Sequence, residues 1–301
     1  MKKYLLAFAI HFSGWSLADV FTEPQIVTPT PRTFLEWCKS EDISVEQRYT
    51  VNILMRKVWA TTCQEASEKL TKLKNLSLSS TYVSDLTPLQ NLVNLTNLSL
   101  TNTRVSDLTP LQNLTNLTNL SLANTLVSDL TPLQQLTNLI ELRLWETQVR
   151  DVSPLQGLTN LKELYLFNTV ISDIGPLQYL NKLTILYLRN TQINDISPLQ
   201  NLVNLRKLSL SRTQVSNISL LQNLTKLEGL YLRSTQVRDV SPLQHLTSLK
   251  MLFLFKTQVS DISPLQHLTN LEKLELSRTQ VSAGDVTRLK ESLPNCIIWG
   301  P

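Results

Sequence analysis

Glycine is scarce in this chain, at six among 301 residues. A loop that cradles phosphate needs glycines so that backbone N–H groups can close on the ligand, and no such loop is expected here. Cysteine and histidine are scarcer still, at three each, and they do not fall at the spacing of a zinc site. No nucleophile elbow occurs either. Neither sign of charge dominates, since 28 Lys and Arg face 24 Asp and Glu. A nucleic-acid surface would show a concentrated basic excess, so that partner class is not expected. Long apolar runs are missing beyond the first residues, and the mature chain is not expected to insert into a membrane.

The first residues differ in kind from the rest. Lys2 and Lys3 precede an apolar run at 4–10, and Ser16-Leu17-Ala18 has the small-x-small form of a cleavage site. The run is shorter than the roughly 20 residues that a bilayer requires. Residues 1–18 are therefore expected to be a cleaved secretory signal, with Asp19 as the mature N-terminus and a secreted or periplasmic destination. No Cys follows the site, which argues against a lipid anchor. Without Lys2 and Lys3, 26 basic side chains face 24 acidic ones, close to balance. Residues 19–32 carry Pro24, Pro29 and Pro31 and read as a flexible lead-in.

What the chain has in abundance is leucine at one interval. Leu73, Leu95, Leu117, Leu139, Leu161, Leu183, Leu205, Leu227, Leu249 and Leu271 are each 22 residues apart, and each opens an L-x-x-L-x-L segment. Leu117-Thr-Asn-Leu120-Ser-Leu122 is typical. A Thr follows three positions after the last Leu of every segment, from Thr81 to Thr279. Then come Val or Ile, usually Ser-Asp, and a Ser/Thr-Pro-Leu-Gln run. The L-x-L core alternates with period two, so its leucines point inward and the residues between them outward. Thr87, Ser153, Ser197 and Ser263 read as N-caps, each with Pro at the first helical position. So few residues remain before the next strand that each helix must be a short 3₁₀ turn. One coil cannot bury its own leucines, but ten stacked coils form a continuous core.

The pattern T-x-V-S-D-L-x-P-L-x-x-L-T-N-L-x-x-L-x-L resembles the 22-residue class of bacterial leucine-rich repeats, of the internalin and protein-phosphatase-regulator type. It covers residues 73–282 in ten copies. The resemblance implies an α/β solenoid, a right-handed superhelix. Its parallel sheet is concave, with short 3₁₀ helices on the convex side. Internalins bind host receptors, but the chain shows no cell-wall sorting sequence. It also departs from the family in carrying Thr where most such repeats have an Asn that bridges adjacent coils. The Thr column reads as a structural ladder of local hydrogen bonds. The Asp column (Asp85, Asp107, Asp129 and their equivalents) reads as capping its own turns rather than holding cations.

A solenoid must seal its ends. Residues 33–72 are expected to form a helical N-terminal cap, with capping boxes at Thr33, Ser44 and Thr62. Its second helix turns Val51, Leu54, Met55 and Val58 to one face. Cys38 and Cys63 are expected to pair, stapling the first helix to the start of the third; a redox or metal site is the alternative. Residues 283–301 read as a C-terminal cap with a longer helix at 286–293. In that cap Cys296 takes the place of Leu271 as a buried, inert thiol on a final strand.

The outward strand positions hold what differs between coils. Between the last two leucines stand Ser77, Ser99, Ser121, Arg143, Tyr165, Tyr187, Ser209, Tyr231, Phe253 and Glu275. Just after the last leucine stand Ser79, Thr101, Ala123, Trp145, Phe167, Arg189, Ser211, Arg233, Phe255 and Ser277. Aromatic and Arg side chains turned away from the core are the usual substance of binding hot spots. The candidate partner-binding residues are therefore Arg143, Trp145, Tyr165, Phe167, Tyr187, Arg189, Tyr231, Arg233, Phe253 and Phe255. The competing account is that the rings merely cover the sheet and pack on one another. His245 and His267 occupy equivalent turns and read as turn filler. The eight N-x-S/T sequons follow from the repeat and imply no glycosylation. The expected function is an exported, monomeric interaction module for a protein or peptide ligand, with no enzymatic activity and no cofactor. The alternative is an envelope structural protein that binds glycan or cell-wall polymer.

Overall fold

The computed structural model describes residues 32–300. The expected signal at 1–18 and nearly all of the expected lead-in lie outside the described residues. Three short helices come first: α1 (Phe34–Lys39), α2 (Val45–Lys57) and α3 (Cys63–Leu70). Ten three-residue strands follow at the repeat interval. They are β1 (Asn75–Ser77), β2 (Asn97–Ser99), β3 (Asn119–Ser121), β4 (Glu141–Arg143) and β5 (Glu163–Tyr165). The series continues with β6 (Ile185–Tyr187), β7 (Lys207–Ser209), β8 (Gly229–Tyr231), β9 (Met251–Phe253) and β10 (Lys273–Glu275). A final helix, α4 (Ala283–Ser292), leads to β11 (Ile297–Trp299). All eleven strands join one parallel sheet in sequence order. A 3₁₀ turn follows each of the first nine strands, as Thr87–Leu89 follows β1.

The coils stack in exact repeat register from β1 to β10. Leu76 pairs with Leu98, Leu98 with Leu120, and so on through Leu274. Each coil adds a ring of aliphatic side chains to the core; in the third these are Leu117, Leu120, Leu122, Val127, Leu130, Leu133 and Leu136, all buried. Burying one such side chain contributes about 1.5–3 kcal/mol, so the core is built by repetition rather than by any single cluster.

Two columns of side chains satisfy the turns. Every Thr of the Thr column donates its hydroxyl to the carbonyl three residues back in its own coil, as Thr125 does to Leu122 at 2.6 Å. The bond is local, as expected of so short a side chain. The bridging from coil to coil is done elsewhere, by an Asn column. Asn94, Asn116, Asn138, Asn160, Asn204 and Asn270 each donate an amide to a carbonyl of the preceding coil at 2.7–2.9 Å. Asn94 and Asn116, which begin sequons, are thus held in the stacking of the solenoid.

The Asp column caps turns as expected. Asp129 Oδ1 accepts from the Thr131 N–H at 2.8 Å, and the same bond recurs in nine coils, with Asn217 serving Ser219. This corrects the reading of Thr87, Ser153, Ser197 and Ser263 as N-caps. These residues open the 3₁₀ turns, and the residue before each makes no side-chain cap. Their own N–H is the donor that Asp, two residues earlier, has captured.

The N-terminal helices pack Phe34, Trp37, Val51, Leu54, Ala66 and Leu70 against the first coil. Met55 and Val58, expected on the same face of α2, are only partly buried at the edge of that cluster. Capping boxes are complete at Thr33 and Ser44. At Thr62 the hydroxyl accepts from the Glu65 N–H, but the Glu65 carboxylate reaches past it to the Thr61 N–H. Thr50 Oγ1 donates to the Asp85 carbonyl at 2.8 Å, tying α2 to the first coil. A Cys38–Cys63 disulfide joins α1 to the first residue of α3.

At the far end α4 begins three residues sooner than expected, because Ser282 caps it by accepting from the Asp285 N–H at 3.1 Å. Cys296 is buried and free, and its N–H donates to Leu293 as that of Leu271 does to Leu268. The likeness to Leu271 ends there. β11 follows at once, one residue sooner than a strand follows Leu271, so Ile298 and not Trp299 aligns with Leu274. Burial pushes the Cys296 thiol pKa up to about 11.

Candidate recognition face

The strands turn their leucines inward and one outer face to solvent, and all ten candidate residues lie on that face. Arg143, Tyr165, Tyr187, Tyr231 and Phe253 end their strands; Trp145, Phe167, Arg189, Arg233 and Phe255 stand two residues further on. The aromatics are half-buried and the arginines exposed.

The rings form two files. In the first, Tyr165 and Tyr187 meet edge to face at 5.4 Å, Tyr187 and Tyr231 at 6.2 Å, and Tyr231 stacks on Phe253 at 5.1 Å. Tyr187 and Tyr231 are two coils apart and close over Ser209, which is buried. A Cβ at Gly229 would lie 3.4 Å from the Tyr231 ring and from the Met251 methyl, in ordinary van der Waals contact with both. In the second file Trp145 stacks on Phe167 at 5.3 Å. The file is then broken by Arg189, Ser211 and Arg233 before Phe255. Rings touch one another in both files, as the competing account of a merely covered sheet requires, yet the break stays open. Phe167, Tyr187, Arg189, Ser211, Arg212, Tyr231, Arg233, Phe255 and Glu275 surround a hollow of about 660 Å³ there. A second hollow of about 390 Å³ lies over the Asn and Ser side chains of β1–β3 and reaches Arg143.

Charge on the face is partly matched. Arg143 pairs with Glu141 and lies 5.5 Å from the Tyr165 ring centre. Arg233 pairs with Glu275 at 2.7 Å, across two coils, and lies 4.5 Å over Phe253. Arg278 lies 5.4 Å from the Phe255 ring. The Tyr165 hydroxyl donates to Glu163 at 2.7 Å. Burial first, and then this carboxylate, hold its pKa well above the ordinary tyrosine value. Burial and the neighbouring Tyr231 hydroxyl raise that of Tyr187 as well. Both phenols are therefore neutral hydrogen-bonding groups at physiological pH.

Four contributors to the face lie outside the ten. Glu141 and Glu163 begin their strands, two residues before Arg143 and Tyr165. The period of two that selected the other columns places them on the same face. Glu275 lies in the first outward column, beyond the last aromatic. Arg212 lies in the turn after β7, where the backbone is left-handed (φ 57°), and no alternation pattern extends through such a turn. Among the described residues no group of three or more His, Cys, Asp or Glu could hold a metal ion. His267 lies beside Gln266, at 3.2 Å between their Nε2 atoms.

A parallel single-sheet solenoid of leucine-lined coils, with one side-chain-bearing face left open, is a leucine-rich-repeat scaffold. The chain belongs to the leucine-rich-repeat family, and its repeats are of the bacterial internalin type. The family described as leucine-rich repeats in two copies matches residues 93–135, 137–179, 159–201, 203–245 and 247–291. No curated protein matches the chain in sequence. Among solved structures, an internalin of Listeria monocytogenes (inlF) is 25% identical with a TM-score of 0.66, covering 90% of this chain and 92% of that one. Internalin C2 of the same organism is 32% identical with a TM-score of 0.58, covering 74% and 90%. A leucine-rich-repeat protein of Leptospira interrogans is 26% identical with a TM-score of 0.73, covering 77% and 62%.

Proposed function

We propose that this chain is an exported interaction module, which holds a protein or peptide partner against the outer face of β4–β9 and catalyses no reaction. The observation that carries this proposal is the open break in the aromatic files. Had the rings served only to cover the sheet, they would close on one another throughout. Instead they border a hollow that no side chain of the described residues fills. Tyr, Trp and Phe half-exposed beside Arg offer large contact area at low entropic cost. The same fold serves in a plant receptor-kinase ectodomain from Arabidopsis thaliana solved in complex with Casparian strip integrity factor 2. That ectodomain is 22% identical with a TM-score of 0.62, and the alignment covers 70% of this chain and 27% of that one. Export is supported by the Cys38–Cys63 disulfide, since such bonds persist in oxidising compartments. No helix among the described residues is long and apolar enough to cross a membrane.

The test is affinity capture from the native surroundings with mature protein, beside a Tyr165→Ala, Tyr187→Ala, Phe253→Ala triple variant. A protein retained by the first bait and lost by the second is the expected result. Retention of a polysaccharide in its place would favour a wall-binding role. Identical retention by both baits would remove the face from the account.

A further inference from the structure

Resting on the proposal that this face is a recognition surface, we infer that the hollow over Ser211 receives a carboxylate of the partner. Its expected source is an Asp or Glu side chain of an extended acidic peptide segment, held between Arg189 and Arg212. Three guanidinium groups border this hollow, together with one carboxylate of the chain itself. Arg233 is already committed, since it pairs with Glu275 at 2.7 Å and lies over Phe253. Glu275 is thereby matched. Arg189 and Arg212 make no ion pair and no ring contact among the described residues, and both are exposed. Two positive charges therefore border the same hollow with no counter-charge from the chain.

The floor has the matching character. Ser209 and Ser211 are 7% and 4% exposed, and neither hydroxyl makes a side-chain hydrogen bond among the described residues. In the second file every other coil from the fourth to the ninth places a large side chain at the Ser211 position: Trp145, Phe167, Arg189, Arg233 and Phe255. Serine here leaves room for an incoming group. Phe167 and Phe255 wall the hollow and lower the local dielectric, so a charge-assisted hydrogen bond made there is stronger than one in open water. A guanidinium donates two parallel N–H bonds to a carboxylate, and a second guanidinium on the same hollow shares the charge.

The probe is a library of random twelve-residue peptides displayed on phage, selected on the mature protein. Single peptides are then measured against three proteins: the wild type, an Arg189→Gln, Arg212→Gln variant, and a Tyr187→Ala, Phe253→Ala variant. Both arginines are exposed, and an unchanged Tm shows that the glutamine variant folds. The expected result is selection of an Asp or Glu at one peptide position. Affinity should drop at least tenfold when that residue becomes Asn or Gln, and by a like factor in the arginine variant. Peptides that lose affinity in the aromatic variant but show no acidic preference and ignore the arginine variant would overturn this inference and leave the recognition face standing. Failure to select any binder sensitive to the aromatic variant would overturn both. Polygalacturonate, tested in parallel, would overturn the peptide assignment if it alone were retained by the wild type and lost in the arginine variant.

Discussion

The rings of Tyr187 and Tyr231 meet edge to face, 6.2 Å between centres, across the coil that separates them. That coil contributes only Ser209 to the file, and the two rings bury it. An edge-to-face pair contributes about 0.5–1.5 kcal/mol beyond area burial. Tyr187→Ala and Tyr231→Ala, alone and combined, should therefore show a coupling of about that size in chemical denaturation. Strict additivity would mean that the rings only happen to be near one another.

The helical cap depends on its covalent staple. Replacing Cys38 and Cys63 by Ser should cost about 2–5 kcal/mol. Amide exchange should accelerate first in α1–α3 and the coil of β1, because Thr50 and Leu54 couple the cap to that coil. Coils near β6 should stay protected. Uniform loss of protection would show that the solenoid unfolds as one unit.

The turn-capping carboxylates give the solenoid an acid limb. Hydrogen bonds from the Thr131 hydroxyl and N–H hold the Asp129 pKa below its usual value. The Ser197 N–H and hydroxyl do the same for Asp195. A pKa lower in the folded than in the unfolded chain stabilises above the unfolded value of about 3.9 and ceases to do so as pH falls through the folded one. Stability should thus decline below about pH 4. Asp129→Asn keeps the acceptor, as Asn217 does for Ser219 at 2.9 Å, and should flatten part of this decline. Melting curves between pH 2.5 and 7, values chosen to bracket the limb at about 3.9, read it directly. An unchanged acid limb in the variant would contradict the assignment.

Cys296 should be unreactive in the folded protein. Cys296 as a residue is 9% exposed, and burial raises its thiol pKa to about 11, so little thiolate exists at neutral pH. Maleimide labelling should be slow in buffer and fast in denaturant. Fast labelling of native protein would place the thiol at the surface.

The repeat could be traced in the sequence because one local rule recurs ten times. The inward leucines, the Thr column and the Asp caps each follow from position within a coil. Departures came where a bond crosses coils or the backbone turns. The amides of Asn94 and Asn116 reach back one coil, and nothing in their own segment says so. Thr87 looked like a cap because Pro88 follows it, yet the acceptor that fits its N–H sits two residues earlier in Asp85. In the outer face the columns of Tyr187 and Phe255 followed from alternation, and Glu141 and Glu163 were available to the same rule. Arg212 was not, because the left-handed turn after β7 resets the alternation. Ser211 resembled a blank position in sequence and is the floor of the hollow in space.

The measurement that tests the account most directly is photocrosslinking with a bound partner. A benzophenone amino acid would be placed at Phe167 or Phe255 on the outer face, or at exposed Tyr179 in the 3₁₀ turn of the fifth coil. Covalent capture from Phe167 and Phe255 but not from Tyr179 is the result predicted. Capture from Tyr179 alone would place recognition on the 3₁₀ side and contradict the central claim.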